Sequence, residues 1–91
     1  MKSRLALVAC KDSTQGPWIR PRGNETGIRV MHLGKNEHIL AILEFEDSIQ
    51  KSQKLDREGV FELPVGWLRI RFDKKCNGEG ECHTQVDLLV A

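Results

Sequence analysis

Cysteine and histidine side chains gather near the carboxyl end of the chain, where they could bind a metal ion. Five residues separate Cys76 from Cys82, and His83 follows the second cysteine directly. Structural zinc sites usually have four ligands, and zinc fingers place their paired cysteines two to four residues apart. A fourth ligand would have to come from elsewhere in the fold, from Cys10, His32 or His38. We therefore expect no bound metal and no cofactor here.

The same two cysteines could instead face each other across a turn. Cys76 and Cys82 flank a glycine-rich segment, so a cross-strand pair suits them better than a metal site. Whether such a pair is oxidised depends on the compartment. The chain has three cysteines, an odd number, which excludes a fully paired disulfide framework within one chain. A reducing cytosol with free thiols is the simplest expectation.

Nucleophilic catalysis would need a serine or cysteine beside a histidine that a carboxylate orients. These residue types are present, but no motif of the nucleophile-elbow kind brings them together. Phosphate-binding loops, dinucleotide fingerprints and EF-hand loops are missing from the sequence as well. A chain of 91 residues leaves little room for a substrate cleft. The sequence therefore predicts that the protein is not an enzyme.

Tryptophan and arginine residues are the best candidates for contacts with other proteins. Trp18 lies between Pro17 and Ile19, in a segment without alternation, so its large side chain either folds back over the core or inserts into a neighbour. Arg69 and Arg71 would project from one face of a strand. A solvated strand face is the alternative interpretation of these arginines. The residues predicted to bind a partner are Trp18, Ile19, Arg20, Arg22, Arg69 and Arg71.

Composition restricts the kinds of partner. The chain has a formal net charge of +1, with 14 basic and 13 acidic residues, so the whole chain is not attracted to nucleic acid or to anionic lipid. Tyrosine is absent, and no pair of aromatic residues is interleaved with the basic ones. No apolar run approaches the roughly 20 residues of a membrane-spanning helix. We expect protein partners, and neither nucleic acid nor a membrane.

The amino-terminal segment 1–10 has a superficial likeness to a signal peptide. Two basic residues precede a short apolar run, and residues 7–10 have the order Leu-Val-Ala-Cys of a lipoprotein signal. The run is only six residues long, and Lys11 and Asp12 follow at once. A first β-strand is therefore the better prediction for this segment.

Alternation of apolar and polar residues predicts β-strands in several parts of the chain. It is clearest at 67–73, and it recurs at 4–9 and 84–90. A further apolar row lies within 37–46. The residues expected to face the core are Leu5, Leu7, Ala9, Ile39, Ala41, Leu43, Phe45, Leu68, Ile70, Phe72, Val86, Leu88 and Val90. Trp67 is expected to cap this core.

Turn residues predict how these strands connect. The Asn-Gly pair at 77–78 predicts a β-hairpin at about 67–90. Gly34, Lys35 and Asn36 predict a second hairpin between strands at 27–33 and 37–46. Residues 59–66 form a short strand that Pro64 ends. Residues 47–58 could make two helical turns, but the flanking strands favour a short edge strand and a polar loop.

Together these elements predict one all-β domain over residues 1–91, an antiparallel β-sandwich or jelly-roll-like fold of six to seven strands. One long ordered loop, at about 11–26, interrupts the pattern with two prolines, two glycines and Trp18. Loops longer than about 12 residues are uncommon in a compact domain and are often functional. We expect this loop to carry contacts.

Two segments together resemble small structural proteins of tailed bacteriophages. They are Gly-Pro-Trp at 16–18 and, after paired strands, the stretch Gly-Val-Phe-Glu-Leu-Pro-Val-Gly-Trp-Leu-Arg-Ile-Arg at 59–71. The resemblance covers the chain from Gly16 onward. The hairpin with cysteines and the charged segment 47–58 depart from it. It implies a β-sandwich that decorates or cements the capsid, or belongs to the tail or a fibre, and that works as an oligomer.

The resemblance leads to a specific functional hypothesis, with two alternatives. The hypothesis is a virion protein of the head decoration or cement type, which binds the major capsid protein or another virion protein and forms a homo-oligomer such as a trimer. A tail, neck or fibre component is the first alternative. A small host-directed binding or inhibitor protein is the second. For the main hypothesis we expect the protein in the virion, assembled in the host cytoplasm.

Overall fold

The computed structural model describes residues 2–8, 16–74 and 84–90. The described chain forms seven β-strands and one short 3₁₀ turn, Glu46–Ser48. The strands are β1 Lys2–Val8, β2 Glu25–Met31, β3 Ile39–Glu44, β4 Gln50–Leu55, β5 Gly59–Glu62, β6 Arg69–Lys74 and β7 Gln85–Val90. No helix in these ranges is long and apolar enough to cross a membrane.

The strands form two antiparallel sheets that pack as a β-sandwich. Sheet A has the order β1-β7-β2-β5, and sheet B has the order β4-β3-β6. Every described pairing within the sheets is antiparallel. The all-β sandwich predicted from alternation is therefore confirmed.

The core lies between the two sheets, and alternation places its residues there. On β3, every second residue is buried, namely Ile39, Ala41 and Leu43, while the residues between them face outward. The remaining buried apolar residues of this cluster are Ile28, Val30, Leu55, Leu63, Trp67, Ile70, Phe72, Val86 and Leu88, and Phe45 packs against it in part. These positions confirm the predicted row on β3 and the capping role of Trp67, together with Ile70 and Phe72 on β6 and Val86 and Leu88 on β7. Val90, also predicted to face the core, is half-buried and does not belong to this cluster.

Two predicted core residues are exposed instead. Leu5 pairs with Asp87 on the outer face of sheet A, because a bulge between Leu5 and Leu7 shifts the register of β1. Leu68 precedes the first residue of β6, so alternation does not apply to it, and its neighbour Trp67 takes the buried position. The side chain of Leu7, like Ala9, lies outside the described residues.

Both predicted hairpins are wrong. β6 pairs with β3 in sheet B, whereas β7 pairs with β1 and β2 in sheet A. β2 and β3 likewise belong to different sheets. Glycine and asparagine allow the chain to reverse, but reversal alone does not decide whether the next strand joins the same sheet or crosses to the other one. The Asn-Gly turn at 77–78 lies outside the described residues.

Among the described residues, a hairpin joins β3 to β4 through residues 45–49. The amide of Phe45 donates to the carbonyl of Ile49 at 2.7 Å, and Asp47 and Ser48 both adopt the left-handed conformation. β4 is an edge strand with mostly exposed side chains, and residues 56–58 connect it to β5. The edge strand and polar loop predicted for 47–58 are confirmed.

The long segment predicted as a loop at 11–26 ends slightly earlier than expected, because β2 begins at Glu25. Residues 11–15 lie outside the described ranges. Residues 16–19 run beside β6: Gly16 donates its amide hydrogen to the carbonyl of Phe72 at 2.9 Å, and Ile19 forms an isolated antiparallel bridge with Ile70. The described part of the loop thus extends the edge of sheet B.

Candidate protein-binding surface

Trp18 lies on the outer face of sheet B because of the bridge that follows it. Ile19 and Ile70 exchange two backbone hydrogen bonds, at 2.8 and 2.9 Å, which fixes their side chains on the same face. Ile70 is buried in the core, so Ile19 also points inward and packs against it. Neighbouring residues of an extended segment face opposite ways. The Trp18 side chain is therefore directed outward.

Arg69 and Arg71 of β6 place their guanidinium groups over the Trp18 ring. The distances from the guanidinium carbon to the ring centroid are 4.0 Å for Arg69 and 5.0 Å for Arg71. The two arginines share a face because they are two residues apart on a strand. Each cation–π contact of this kind contributes about 0.5 to 1 kcal/mol at an exposed site. The contacts hold the segment around Trp18 against β6.

Each of the two arginines forms an ion pair with a carboxylate. Arg71 donates from Nε and Nη2 to the two oxygens of Asp73, at 3.0 and 3.1 Å. Arg69 donates from Nε and Nη2 to Oε2 of Glu44, at 3.0 and 2.7 Å. The hydrogen bond from Arg69, followed by one from Gln50, lowers the pKa of Glu44. We call Trp18, Arg69, Arg71, Glu44 and Asp73 the tryptophan–arginine platform.

Apolar side chains of β3 lie beside this platform. In the register of sheet B, Ile42 is opposite Arg71 and Leu40 is opposite Asp73. Leu40 is exposed, and Ile42 is half-buried. Aromatic residues and arginine are enriched in the centres of protein–protein interfaces. The outer face of sheet B therefore has the composition of a contact surface.

A buried carboxylate fixes the segment that leads from Trp18 to β2. Glu25 accepts hydrogen bonds from the amides of Arg22 and Gly23, at 3.0 and 3.3 Å, and from Nη1 of Arg4 at 3.2 Å. Burial raises the pKa of Glu25, but the amides of Arg22, of Glu25 itself and of Gly23, with the charge of Arg4, outweigh burial and lower it. Arg4 also donates to the carbonyl of Arg20 at 3.0 Å. β1 is thereby tied to this loop.

The six residues predicted to bind a partner do not all meet. Trp18, Arg69 and Arg71 form the platform, whereas the Ile19 side chain packs against the core. Arg20 and Arg22 are exposed on the loop beyond Trp18 and join the structure through their backbone groups. The structure thus brings Trp18, Arg69 and Arg71 together on the outer face of sheet B and places Ile19 in the packing of the core.

Sequence reasoning missed the two carboxylates of the platform. Asp73 could have been recognised, because it lies two residues after Arg71 on the same face of one strand. Glu44 could not, since its contact with Arg69 depends on the register between β3 and β6.

The described residues also form shallow depressions away from the platform. One, of about 170 Å³, lies between the loop at 21–26 and the turn at 63–67. Another, of about 360 Å³, lies between the end of β2 and the start of β5. Among the described residues, no three His, Cys, Asp or Glu side chains are grouped as metal ligands would be. Cys76, Cys82 and His83 lie outside those residues.

Comparison of the chain with protein-family models, with curated proteins and with solved structures finds no significant match.

Proposed function

We propose that this protein is a structural protein of a tailed-bacteriophage virion, of the head decoration or cement type, and that it binds coat subunits through the tryptophan–arginine platform. The observation that carries the proposal is the stack of Arg69 and Arg71 on Trp18, on an outer sheet face that also exposes Leu40. The partner class comes from the sequence resemblance described above.

The platform suits binding because its groups are ordered before a partner arrives. Both guanidinium groups are held by carboxylates, and the Trp18 ring is held by both guanidinium groups. Side chains that are already fixed lose little conformational entropy on association. Neutralised arginines also bring less uncompensated charge into an interface than free ones would.

Such a protein would act on the shell by mass action. A protein that binds the assembled shell and not the free coat subunits lowers the free energy of the shell. If the protein self-associates into a homo-oligomer such as a trimer, several platforms engage the shell together, and the apparent affinity increases with the number engaged. No bond is made or broken in this role, in agreement with the absence of a catalytic motif in the sequence.

Sedimentation with shells assembled from the coat protein of the encoding phage tests the proposal. The wild-type protein is expected to pellet with shells in a fixed ratio. Trp18→Ala is expected to weaken binding tenfold or more, as about 2 kcal/mol at an interface hot spot would do. Arg22→Ala is the matched control, because Arg22 is an exposed arginine outside the platform, and it is expected to bind like the wild type.

Two results would contradict the proposal. A wild-type protein that stays in the supernatant with shells, and copurifies with tails or with a host protein, would replace the head role by one of the alternatives. Binding of Trp18→Ala equal to that of the wild type would remove the platform from the contact.

A further inference from the structure

The turn between β5 and β6 presents an apolar side chain to solvent. Val65 is 97% exposed, the largest exposure among the large hydrophobic residues that the structure describes as exposed. Gly66, with φ at 91°, provides the positive φ that a tight turn needs, and Pro64 restricts the backbone before it. The flanking Leu63 and Trp67 are buried. The turn is thus anchored on both sides and holds the Val65 side chain outward. We call this side chain the knob.

A groove lies between the end of β2 and the start of β5, on the outer face of sheet A. Its volume is about 360 Å³, and Met31 and Val60 give it an apolar lining. Val60 is 61% exposed. Gly59, with φ at 130° and no atoms within 4 Å of where a Cβ would stand, leaves the groove open. An apolar side chain of moderate size can enter this space.

Arg29 adds unused hydrogen-bond donors to the groove. Its Nη2 donates to Oδ2 of Asp87 at 2.8 Å, and the other oxygen of Asp87 accepts from Gln85. The Nε of Arg29 is buried and has no partner among the described residues. An arginine has five N–H donors, and a buried donor without an acceptor is unfavourable. Nε itself is closed to solvent, but the Arg29 side chain as a whole is 41% exposed, so a carbonyl of an incoming segment can accept from the exposed part of the guanidinium.

The turn at 63–67 has such carbonyl groups. In the described part of the chain, the carbonyls of Val65 and Gly66 accept no backbone hydrogen bond. The turn cannot fill its own groove, because the turn follows the end of β5 and the groove lies at its beginning. Four strand residues separate the two by roughly 13 Å. The knob and the groove can meet only between two molecules.

We propose that the Val65 turn of one copy inserts into the groove lined by Arg29, Met31 and Val60 of a second copy. The contact joins different surfaces of the two copies, so it is head to tail, and a closed ring satisfies every knob and every groove. This inference deepens the proposed function, since it names the contact behind the self-association part of it, and it does not depend on the shell partner.

Two single variants and their mixture test this contact. The chain has a mass of 10.4 kDa, and light scattering of the wild type is expected to give a multiple of it. Val65→Asp removes the knob, and Val60→Asp places a charge in the groove, so each variant alone is expected to be monomeric. Both positions are exposed, and circular dichroism should show that both variants are folded.

The mixture is the decisive sample. Val65→Asp keeps an intact groove and Val60→Asp keeps an intact knob, so together they are expected to form a one-to-one heterodimer that cannot grow further. Ile49→Asp is the matched control: Ile49 is 52% exposed, but it lies in the turn between β3 and β4 of sheet B and belongs to neither the Val65 turn nor the groove. This variant is expected to keep the wild-type mass.

A monomeric wild type, or a mixture that stays monomeric, would overturn the proposal. Oligomers of wild-type size formed by Val65→Asp would overturn it too. These outcomes are separate from failure of the proposed function. A monomeric protein that still pellets with shells would remove this contact alone, and an oligomer that does not pellet would leave the contact intact and remove the shell role.

Discussion

The outer faces of the two sheets both carry arginines paired with carboxylates, but they differ in what surrounds the pairs. On sheet B, Arg69 and Arg71 are sandwiched between acids and the Trp18 ring, so each guanidinium has partners on its edge and on its face. On sheet A, Arg29 has a carboxylate at one Nη and no described aromatic contact, and its side chain is 41% exposed.

The acids also differ in burial, and here the acid of sheet A is the more enclosed one. The Asp87 side chain is almost fully buried, because β7 is an inner strand of sheet A, whereas Asp73 and Glu44 remain partly open to solvent. Burial strengthens a pair, but it also makes the loss of one partner more costly. On sheet B both arginines have partners and the acids are partly open to solvent, so the loss of one acid should lower the stability of the fold only slightly. On sheet A the guanidinium has unpaired donors but its acid is buried, so the loss of that acid should lower the stability more.

The largest effect expected from this comparison is on Asp87. Replacing it with alanine leaves the Arg29 guanidinium without its carboxylate and removes the acceptor for Gln85, so Asp87→Ala should lower the free energy of unfolding by about 2 kcal/mol. Asp73→Ala removes a partly exposed pair and should cost about 0.5 kcal/mol. Urea denaturation of both variants measures the difference. Equal losses would show that burial does not distinguish the two faces.

A pH titration of stability is expected to separate Glu25 from Glu44. Both carboxyls have pKa values lowered from 4.5 in the folded protein. A lowered pKa contributes stability that is present above the unfolded pKa and is lost as the pH falls through the folded pKa. The urea midpoint should therefore fall as the pH is reduced below about 4.5.

The contribution of each carboxyl to the decrease of the urea midpoint at low pH depends on its surroundings. Glu25→Gln should flatten the acid-side decline more than Glu44→Gln, because the groups that lower the pKa of Glu25 against its burial include fixed backbone amides, whereas those that lower the pKa of Glu44 are side chains partly open to solvent. Urea midpoints between pH 6 and pH 3 for the two variants and the wild type provide the measurement. An unchanged slope in Glu25→Gln would mean that other carboxyls dominate acid unfolding.

The sequence predicts which residues face inward better than it predicts which strands are neighbours. The rows on β3 and β6 follow from alternation, which is a local property. Sheet membership is not local: the chain passes from sheet A to sheet B between β2 and β3 and between β5 and β6, and back to sheet A between β4 and β5 and between β6 and β7. Turn residues such as Gly34 and Asn36 are compatible with either path. Both predicted hairpins were wrong for this reason.

The non-local nature of strand pairing also explains why the sequence predicted only part of the platform. Trp18, Arg69 and Arg71 were selected by residue type and exposure, without knowledge that they touch. Their contact depends on the bridge between Ile19 and Ile70, which joins residues 51 positions apart in the chain. The partner of Arg69, Glu44, comes from the pairing of β3 with β6. Contacts of such sequence separation carry no local signal that a single sequence could reveal.

The smallest effect concerns the unequal distances within the platform. The guanidinium of Arg69 lies 4.0 Å from the Trp18 centroid and that of Arg71 lies 5.0 Å from it. A double-mutant cycle between Trp18→Ala and Arg69→Ala should give a coupling energy of about 0.5 to 1 kcal/mol, and the cycle with Arg71→Ala a smaller one. Trp18→Ala with Arg29→Ala is the control cycle, because Arg29 lies on the other sheet, and its coupling should be close to zero. Coupling to Arg69 no larger than to Arg29 would mean that the stack does not stabilise the fold, and that its ordering before binding has to come from the carboxylates alone.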